Sequence, residues 1–265
     1  AGFGMGFVLG PILGGILGEW GPKAPFYAAS ALAGLNFIMG WLILPETVTD
    51  RIRRRFEWKR ANPLGAMRAI SKFQGLGPML VVFLLYQIAT AVYASVWPFF
   101  TAERFDWSPG MIGISLTIYG VFFAIVQGSL VKPAIARFGE TKTVKIGFII
   151  EIFALGTIAI LTNGLALLAF IPIAALGVIG QPALQAILSR ATAEDSQGVL
   201  QGVLSSLTAI SMIIAPITMT WVFAEFTRHQ ATIYFAGAPF AASAVLLIIA
   251  LATFQKISSE VQNQT

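Results

Sequence analysis

The segment GFGMGFVLGPILGGILG, residues 2–18, has a glycine at every fourth position. These glycines are Gly2, Gly6, Gly10, Gly14 and Gly18, with Pro11 and Gly15 among them. Residues four apart lie on one face of an α-helix, and glycines along such a face let a neighbouring backbone approach closely. A single pair with this spacing is typical of generic small-residue packing. Five in register predict a membrane helix that packs at backbone distance against another helix.

The whole chain has the composition of a membrane protein. Of its 265 residues, 57% are hydrophobic and 11% are charged, whereas soluble domains are about a quarter charged. The chain has no cysteine, which excludes disulfides, thiolate metal sites and cysteine nucleophiles. A lone His229, the lack of a carboxylate cluster and the lack of a P-loop pattern argue against a metal site, a nucleotide site and an enzyme. We therefore expect neither a cofactor nor an enzymatic activity.

Eight apolar segments are long enough to cross a bilayer as helices, which takes about 20 mostly apolar residues. We place them at residues 2–18, 24–44, 79–101, 109–132, 143–162, 165–188, 199–224 and 232–254. Short breaks rich in glycine, proline and asparagine, such as WGPKAP and DWSPG, separate most of them. The predicted fold class is all-α and transmembrane.

One connection differs from the others. The stretch PETVTDRIRRRFEWKRANPLGAMRAISKFQG, residues 45–75, is polar and basic, which suits a solvated linker and also a domain boundary. We therefore predict three parts: residues 1–44 with two helices, a basic linker at residues 45–78, and a six-helix unit with a short tail at residues 79–265.

The positive charges fall mainly in alternate loops. Fourteen of the 17 lysine and arginine residues lie in one set, which comprises the linker, the loops with Arg137 and Arg190, and the C-terminal tail. The opposite set holds only Lys23, Arg104 and Arg228. Because lysine and arginine accumulate in cytoplasmic loops, the linker and the C-terminus are predicted to be cytoplasmic. This distribution also explains the net charge of +5 without a nucleic-acid partner.

The glycine segment resembles the antiporter motif of the major facilitator superfamily, G-x-x-x-G-P-x-x-G-G, at Gly6, Gly10, Pro11, Gly14 and Gly15. Later segments are similar, in order, to the tetracycline-exporter-like branch of the drug/proton antiporters in that superfamily. They are NPLGAMRA, ERFDWSPGMIGISL, IARFGETKTVKIGFI, GQPALQAILSR and QGVLQGVLSSLTAI. This resemblance covers nearly all of the chain.

The resemblance implies a major facilitator fold of which eight of twelve helices, the fifth to the twelfth, are present and the N-terminal four are missing. It implies that the glycine motif lies at the interface between two six-helix halves. It also implies a cytoplasmic loop motif that takes part in gating, at Arg137, Gly139, Glu140 and Lys142, although a basic cytoplasmic turn explains these residues as well. We expect the missing helices to belong to a longer chain or to a second polypeptide.

Glu151, in GFIIEIFALG (residues 147–156), is the one acidic residue well inside a predicted helix. An ionised side chain at mid-membrane costs at least about 2.5–3.5 kcal/mol, so such residues usually face a wet cavity or a partner. Burial disfavours the charged form of a carboxyl group, which suits proton exchange. By resemblance, the tetracycline exporters carry an acid at the matching position of their ninth helix. We hypothesise that Glu151 couples transport to protons; the alternative is a neutral side chain hydrogen-bonded to a neighbouring helix.

Four helices carry polar and aromatic side chains at helical spacing, which predicts a substrate cavity between them. The predicted cavity residues are Tyr86, Thr90, Tyr93, Trp97, Tyr119, Phe123, Gln127, Gln181, Gln185, Gln201 and Ser205, and Gly177, Ser189, Thr208 and Met212 continue the same faces. Aromatic walls with a few hydrogen-bonding groups suit a flat, amphiphilic organic molecule. The alternative is that these residues make interhelical hydrogen bonds and core contacts.

Phe123 departs from the resemblance. The tetracycline exporters have a histidine there, four residues before a glutamine that is retained here as Gln127. Because phenylalanine neither titrates nor hydrogen-bonds, this departure favours a broader hydrophobic drug over tetracycline itself.

Together these features predict a secondary active transporter of a bacterial inner membrane that exports a hydrophobic or amphiphilic antibiotic and is driven by the proton gradient. Its partners would be the lipid bilayer and the small drug. Two alternatives stay open. The protein could import a small metabolite, or it could be a truncated, non-transporting chain that packs on another membrane protein through its glycine face.

Overall fold

The computed structural model describes residues 2–43, 76–229 and 231–262. The described residues form eight helices: α1 (Gly2–Glu19), α2 (Ala24–Ile43), α3 (Gly77–Phe105), α4 (Pro109–Phe138), α5 (Glu140–Ile160), α6 (Gly164–Arg190), α7 (Gln197–Thr227) and α8 (Ala238–Gln262). A 3₁₀ turn, Glu194–Ser196, precedes α7. The predicted all-α fold class is confirmed.

Helices α2 to α8 are long and apolar enough to span a membrane, and α1 contributes the apolar stretch Leu9–Glu19. The helix ends differ most from prediction in α4 and α8. α4 continues beyond residue 132 through the amphipathic segment Val131–Phe138. It ends at Phe138 because the next residue, Gly139, has a φ of +75°, which stops the helix. α8 begins at Ala238 rather than at residue 232, because Pro239 is favoured in the first turn of a helix. Most of the predicted linker, residues 45–78, lies outside the described residues, so the division into three parts stays a prediction.

Helices α3 to α8 pack around one apolar core. α8 packs against α3 and α5, α6 packs against α5, and α7 packs against α3. Large, fully buried aromatic side chains fill the core: Phe83, Phe100, Phe148, Phe240 and Phe254. This bundle is the frame that holds the candidate site.

α1 lies against α4 at backbone distance. A Cβ atom at Gly113 of α4 would stand 2.5 Å from the carbonyl oxygen of Pro11 and 2.9 Å from the Cα of Gly15. A Cβ atom at Gly18 would stand 3.0 Å from the Cβ of Pro109. Only glycine at these positions permits such an approach. α2 packs on α1, and none of its described residues is buried.

Two of the helices change their winding partway along. α4 contains a π-helical segment, Val126–Leu130, and α6 contains a 3₁₀ segment, Ala175–Ile179. The π-helical segment comes just before Pro133, which has no N–H and whose ring would collide with the carbonyl of residue 129 in a regular helix. Pro172 lies just before the 3₁₀ segment. The two segments pack against each other, so that both irregular turns lie at the same depth of the bundle.

Candidate functional site

Glu151 is buried in the middle of α5, with 2% of its surface exposed. Its backbone nitrogen and Cβ each lie 3.0 Å from where a Cβ atom would stand at Gly177, and its carboxyl Oε2 overlaps that position. The carboxyl group therefore fills the space that a side chain at Gly177 would take. This arrangement requires glycine in the 3₁₀ segment of α6.

Neighbouring glycines bring α5 and α6 equally close. A Cβ atom at Gly147 would stand 2.6 Å from the Cα of Gly180 and 3.0 Å from the carbonyl oxygen of Gly177. On the other side, the ring of Phe148 lies against Gly180, since a Cβ atom there would stand 3.0 Å from its Cδ1. The backbones of α5 and α6 are therefore in direct contact near Glu151, with no space for further side chains between them.

Aromatic side chains from α3, α4 and α8 surround the opposite side of the site. The ring of Tyr93 stacks on that of Tyr119 with centroids 5.8 Å apart and an interplanar angle of 27°. It also contacts Trp97 at 6.2 Å and Phe240 at 6.0 Å. The indole N–H of Trp97 donates a 2.9 Å hydrogen bond to the Oγ of Ser115. Because these rings hold one another in place, the direction of the Tyr93 side chain is fixed.

The hydroxyl group of Tyr93 lies beside the carboxyl group of Glu151. It is buried and makes no hydrogen bond of good geometry with any residue that the structure describes. The hydroxyl groups of Tyr86 and Tyr119 also lie within electrostatic reach of Glu151. The candidate site is thus one carboxyl group that lies against Gly177 and beside the Tyr93 hydroxyl, with the hydroxyl groups of two further tyrosines within electrostatic reach.

A small cavity adjoins this site. Apolar atoms of Tyr93, Trp97 and Tyr119 line it together with aliphatic side chains of α4, α5 and α6. Its volume is about 20 Å³, which is enough for about one water molecule and is far below the roughly 300–1,000 Å³ of a drug-sized site. In this arrangement the cavity does not admit a drug.

The predicted cavity residues divide into three groups. Tyr93, Trp97 and Tyr119 come together around the small cavity, with Phe123 beside Tyr119 at 6.1 Å between ring centroids. Tyr86 is instead buried in the core, where its ring stacks on Phe148 at 5.1 Å. The hydroxyl of Thr90 donates to the backbone carbonyl of Tyr86. The remaining predicted residues are half-buried or exposed: Gln127 and Gln181 are half-buried, and Gln185, Gln201 and Ser205 are exposed. The structure therefore does not bring all of the predicted residues to one place.

Three polar side chains form a chain of hydrogen bonds that the sequence patterns missed. The amide of Gln87 donates to the Oγ1 of Thr208 at 3.0 Å, and the amide of Gln181 donates to the Oε1 of Gln87 at 3.2 Å. These bonds join α3, α7 and α6. Gln87 follows Tyr86 directly and lies outside the four-residue pattern, but a glutamine within an apolar span is itself a signal of a polar partner.

The residues of the glycine motif differ in their surroundings. Pro11 and Gly15 touch α4, whereas a Cβ atom at Gly6, Gly10 or Gly14 would meet nothing within 4 Å. Beyond the motif, the backbone N–H of Gly110, at the start of α4, donates a 2.7 Å hydrogen bond to the carboxylate of Glu19. An anion at the N-terminus of a helix is stabilised by the free N–H groups there. This hydrogen bond therefore joins α1 and α4 at one end of their contact.

The predicted loop motif lies between α4 and α5. Glu140 forms an ion pair with Arg190 at the end of α6, with 3.0 Å between Oε1 of Glu140 and Nε of Arg190. The guanidinium of Arg137 lies over the ring of Phe138. Gly139 is needed for its positive φ. Lys142 is exposed. The loop is tied to α6 by one partly exposed ion pair, and its part in gating stays a prediction.

Comparison with known proteins identifies the family. The model of the Major Facilitator Superfamily matches residues 79–263. The chain belongs to the major facilitator superfamily. It is thus a multi-pass membrane protein of a transporter family and not an enzyme, as predicted.

Relatives of this superfamily member include bacterial proteins of known name. The tetracycline resistance protein, class C, of Escherichia coli is 36% identical over 222 residues, which are 84% of this chain and 56% of that protein. The class G protein of Vibrio anguillarum is 34% identical over 82% of this chain and 55% of its own length. The class B protein of Escherichia coli is 31% identical over 88% of this chain and 57% of its own length. The chain spans about half the length of the curated relatives it matches.

A solved structure supports the fold. The crystal structure of the human organic anion transporter MFSD10 (TETRAN) matches 95% of this chain and 61% of its own chain, with a TM-score of 0.65 and 20% sequence identity. The major facilitator fold predicted from the resemblance is therefore confirmed.

Proposed function

We propose that the protein exports a hydrophobic or amphiphilic drug in exchange for protons, and that Glu151 takes up and releases the proton. The observation that carries this proposal is the burial of Glu151, which is the only buried carboxylate among the residues that the structure describes. The names of the relatives, which are tetracycline resistance proteins, support a drug as the substrate.

The surroundings of Glu151 suit proton exchange. Within the described residues it has no lysine, arginine or histidine in ion-pair contact, so none of these residues balances its charge. A lone ionised carboxylate in a dry site is unfavourable, whereas the protonated group is tolerated. Release of the proton is then favourable only when water or a substrate reaches the site. Proton exchange at Glu151 would therefore be tied to the opening and closing of the transporter.

The apolar side of the site favours a hydrophobic substrate. Phe123 continues the aromatic wall of Tyr93 and Tyr119 in place of a titratable residue. Aromatic walls bind flat apolar molecules, and the few hydroxyl and amide groups nearby supply hydrogen bonds. The drug would bind between the two halves of the transporter, so that helices preceding α1, or a second polypeptide, would complete the cavity. The protein would act in a bacterial inner membrane with its linker and C-terminus in the cytoplasm.

A transport assay with matched variants tests this proposal. In everted membrane vesicles that contain the full-length protein, Glu151→Gln should abolish substrate-driven proton flux, because an amide of similar size cannot exchange a proton. Glu151→Asp keeps the carboxyl group and should retain part of the flux. Glu103→Gln removes an exposed carboxylate and is the control. Wild-type flux in Glu151→Gln would exclude this role of Glu151.

A further inference from the structure

The Tyr93 hydroxyl is a buried polar group without a well-formed hydrogen bond among the described residues. Such groups are rare, because an unmade hydrogen bond on a buried hydroxyl destabilises the fold. A phenylalanine at this position would keep the ring contacts with Tyr119 and Trp97 and would avoid the penalty. The presence of the hydroxyl group is therefore best explained by a second state of the protein, in which this group makes a hydrogen bond.

Glu151 is the partner within reach. Of the three tyrosines within electrostatic reach of Glu151, Tyr93 is the one whose hydroxyl group lies beside its carboxyl group. The Tyr93 ring contacts the rings of Tyr119 and Phe240, whereas the glutamate side chain, which lies against Gly177, has three rotatable bonds. In the second state, rotation of the carboxyl group would align the bond without movement of the ring.

The other helices around Glu151 provide no competing charge. α3 presents Tyr86 and Tyr93, and α4 presents Tyr119. α6 meets Glu151 with Gly177. The described ionisable side chain of α8, Lys256, is exposed near the end of that helix. Among the described residues, the polar groups that interact with the charge on Glu151 are thus tyrosine hydroxyl groups.

We propose that Tyr93 is a positioning residue for proton exchange at Glu151: its O–H donates a hydrogen bond to the ionised carboxylate, and this bond is weaker when the carboxyl group is protonated. The inference rests on the proposed function. The proton leaves the carboxyl group for water or substrate, and the carboxylate oxygen that remains accepts the Tyr93 hydrogen bond. Tyr93 keeps its own proton throughout. A hydrogen bond to the charged form favours that form, so that Tyr93 helps to set the pH at which Glu151 exchanges its proton.

The test is the pH profile of substrate-driven proton flux in the full-length protein. Tyr93→Phe should move the midpoint to higher pH by about one to two units, because it removes a hydrogen bond to a charged group. Fluorotyrosine at position 93 has a more acidic hydroxyl group, donates a stronger hydrogen bond, and should move the midpoint to lower pH. Tyr86→Phe and Tyr119→Phe are the matched comparisons. Their hydroxyl groups act on Glu151 only at a distance, so their midpoints should shift less than that of Tyr93→Phe, whatever their effect on substrate affinity. An unmoved midpoint in Tyr93→Phe, or equal shifts in all three variants, would overturn the inference.

A second measurement separates this inference from the proposed function and does not need transport. The infrared carboxyl band that disappears in Glu151→Gln reports the protonation of Glu151 in the purified protein. Its titration should shift in Tyr93→Phe in the same direction as the flux. If Glu151→Gln retains wild-type flux, the proposed function fails. If Glu151→Gln abolishes flux but neither the flux midpoint nor the infrared titration moves in Tyr93→Phe, only the role of Tyr93 fails.

Discussion

Replacing Gly177 by alanine should destabilise the protein through one overlap that the structure locates. The added Cβ would meet the carboxyl group of Glu151 and would stand 3.0 Å from its backbone nitrogen and from its Cβ. Ordinary contacts between such atoms are about 3.5–4.0 Å. The carboxyl group can rotate away, but the backbone nitrogen belongs to α5, so α6 must move back by about 0.5 Å. Because Gly147 and Gly180 bring the two backbones into contact next to this position, the same movement would also open their close packing.

Overpacking of this kind costs about 1–3 kcal/mol. For a protein of this size each kcal/mol lowers the unfolding temperature by about 2–4 °C. We therefore expect Gly177→Ala to unfold several degrees below the wild type in a thermal unfolding assay in detergent. Gly156→Ala is the control, since it lies in the same helix as Glu151 and a Cβ atom there would meet nothing within 4 Å. It should be neutral or slightly stabilising, because alanine favours a helix over glycine.

The double variant Gly177→Ala with Glu151→Ala sharpens the test. Removing the carboxyl group relieves the overlap with Oε2 but leaves the two 3.0 Å contacts, so stability should recover only in part. Equal unfolding temperatures for Gly177→Ala, Gly156→Ala and the wild type would refute the argument that backbone contact requires glycine at this position.

Two further substitutions test contacts between helices. Glu19→Ala should weaken the contact of α1 with α4, since the N–H of Gly110 loses its carboxylate acceptor. The loss of thermal stability should be larger at low salt than at high salt, because salt screens exposed charges. A loss that does not depend on salt would contradict a charge-assisted hydrogen bond. Gln87→Leu and Thr208→Val, measured singly and together, should show a coupling energy of about 0.6 kcal/mol, which is typical of hydrogen bonds between membrane helices. Additive losses of unfolding free energy would mean that this hydrogen bond contributes nothing.

The parts of the molecule that could be predicted depend on local composition. The eight helices follow from apolar length, and the burial of Glu151 follows from a lone carboxylate in an apolar run. The glycine spacing predicts a close approach of α1 to another helix, and α1 does lie against α4. The contact is made by Pro11, Gly15 and Gly18, however, and of these only Gly18 belongs to the four-residue spacing. The partner helix could not be predicted, because Gly113 lies about a hundred residues away and contributes no pattern of its own.

The surroundings of Glu151 could not be predicted for a physical reason. The four-residue spacing of Gly177, Gln181 and Gln185 assumes an uninterrupted α-helix. The 3₁₀ segment breaks that regularity, so that Gly177 meets Glu151 on α5 while Gln181 bonds to Gln87 on α3. A 3₁₀ or π-helical turn inside a membrane span leaves the hydropathy unchanged, and sequence periodicity does not detect it.

The 3₁₀ segment of α6 has a geometric consequence for everything that follows it. Five residues at a rise of about 2.0 Å span about 10 Å, against about 7.5 Å in an α-helix, and each residue turns by about 120° rather than about 100°. The part of α6 after the segment, Gly180–Arg190, is therefore advanced by about 2.5 Å and rotated by about 100° relative to a continuous helix. Rewinding these five residues would turn the Gln181 amide away from Gln87 and would displace the Arg190 end, which pairs with Glu140. The distance from the carboxyl site to the far end of α6 is thus set by the winding of these five residues.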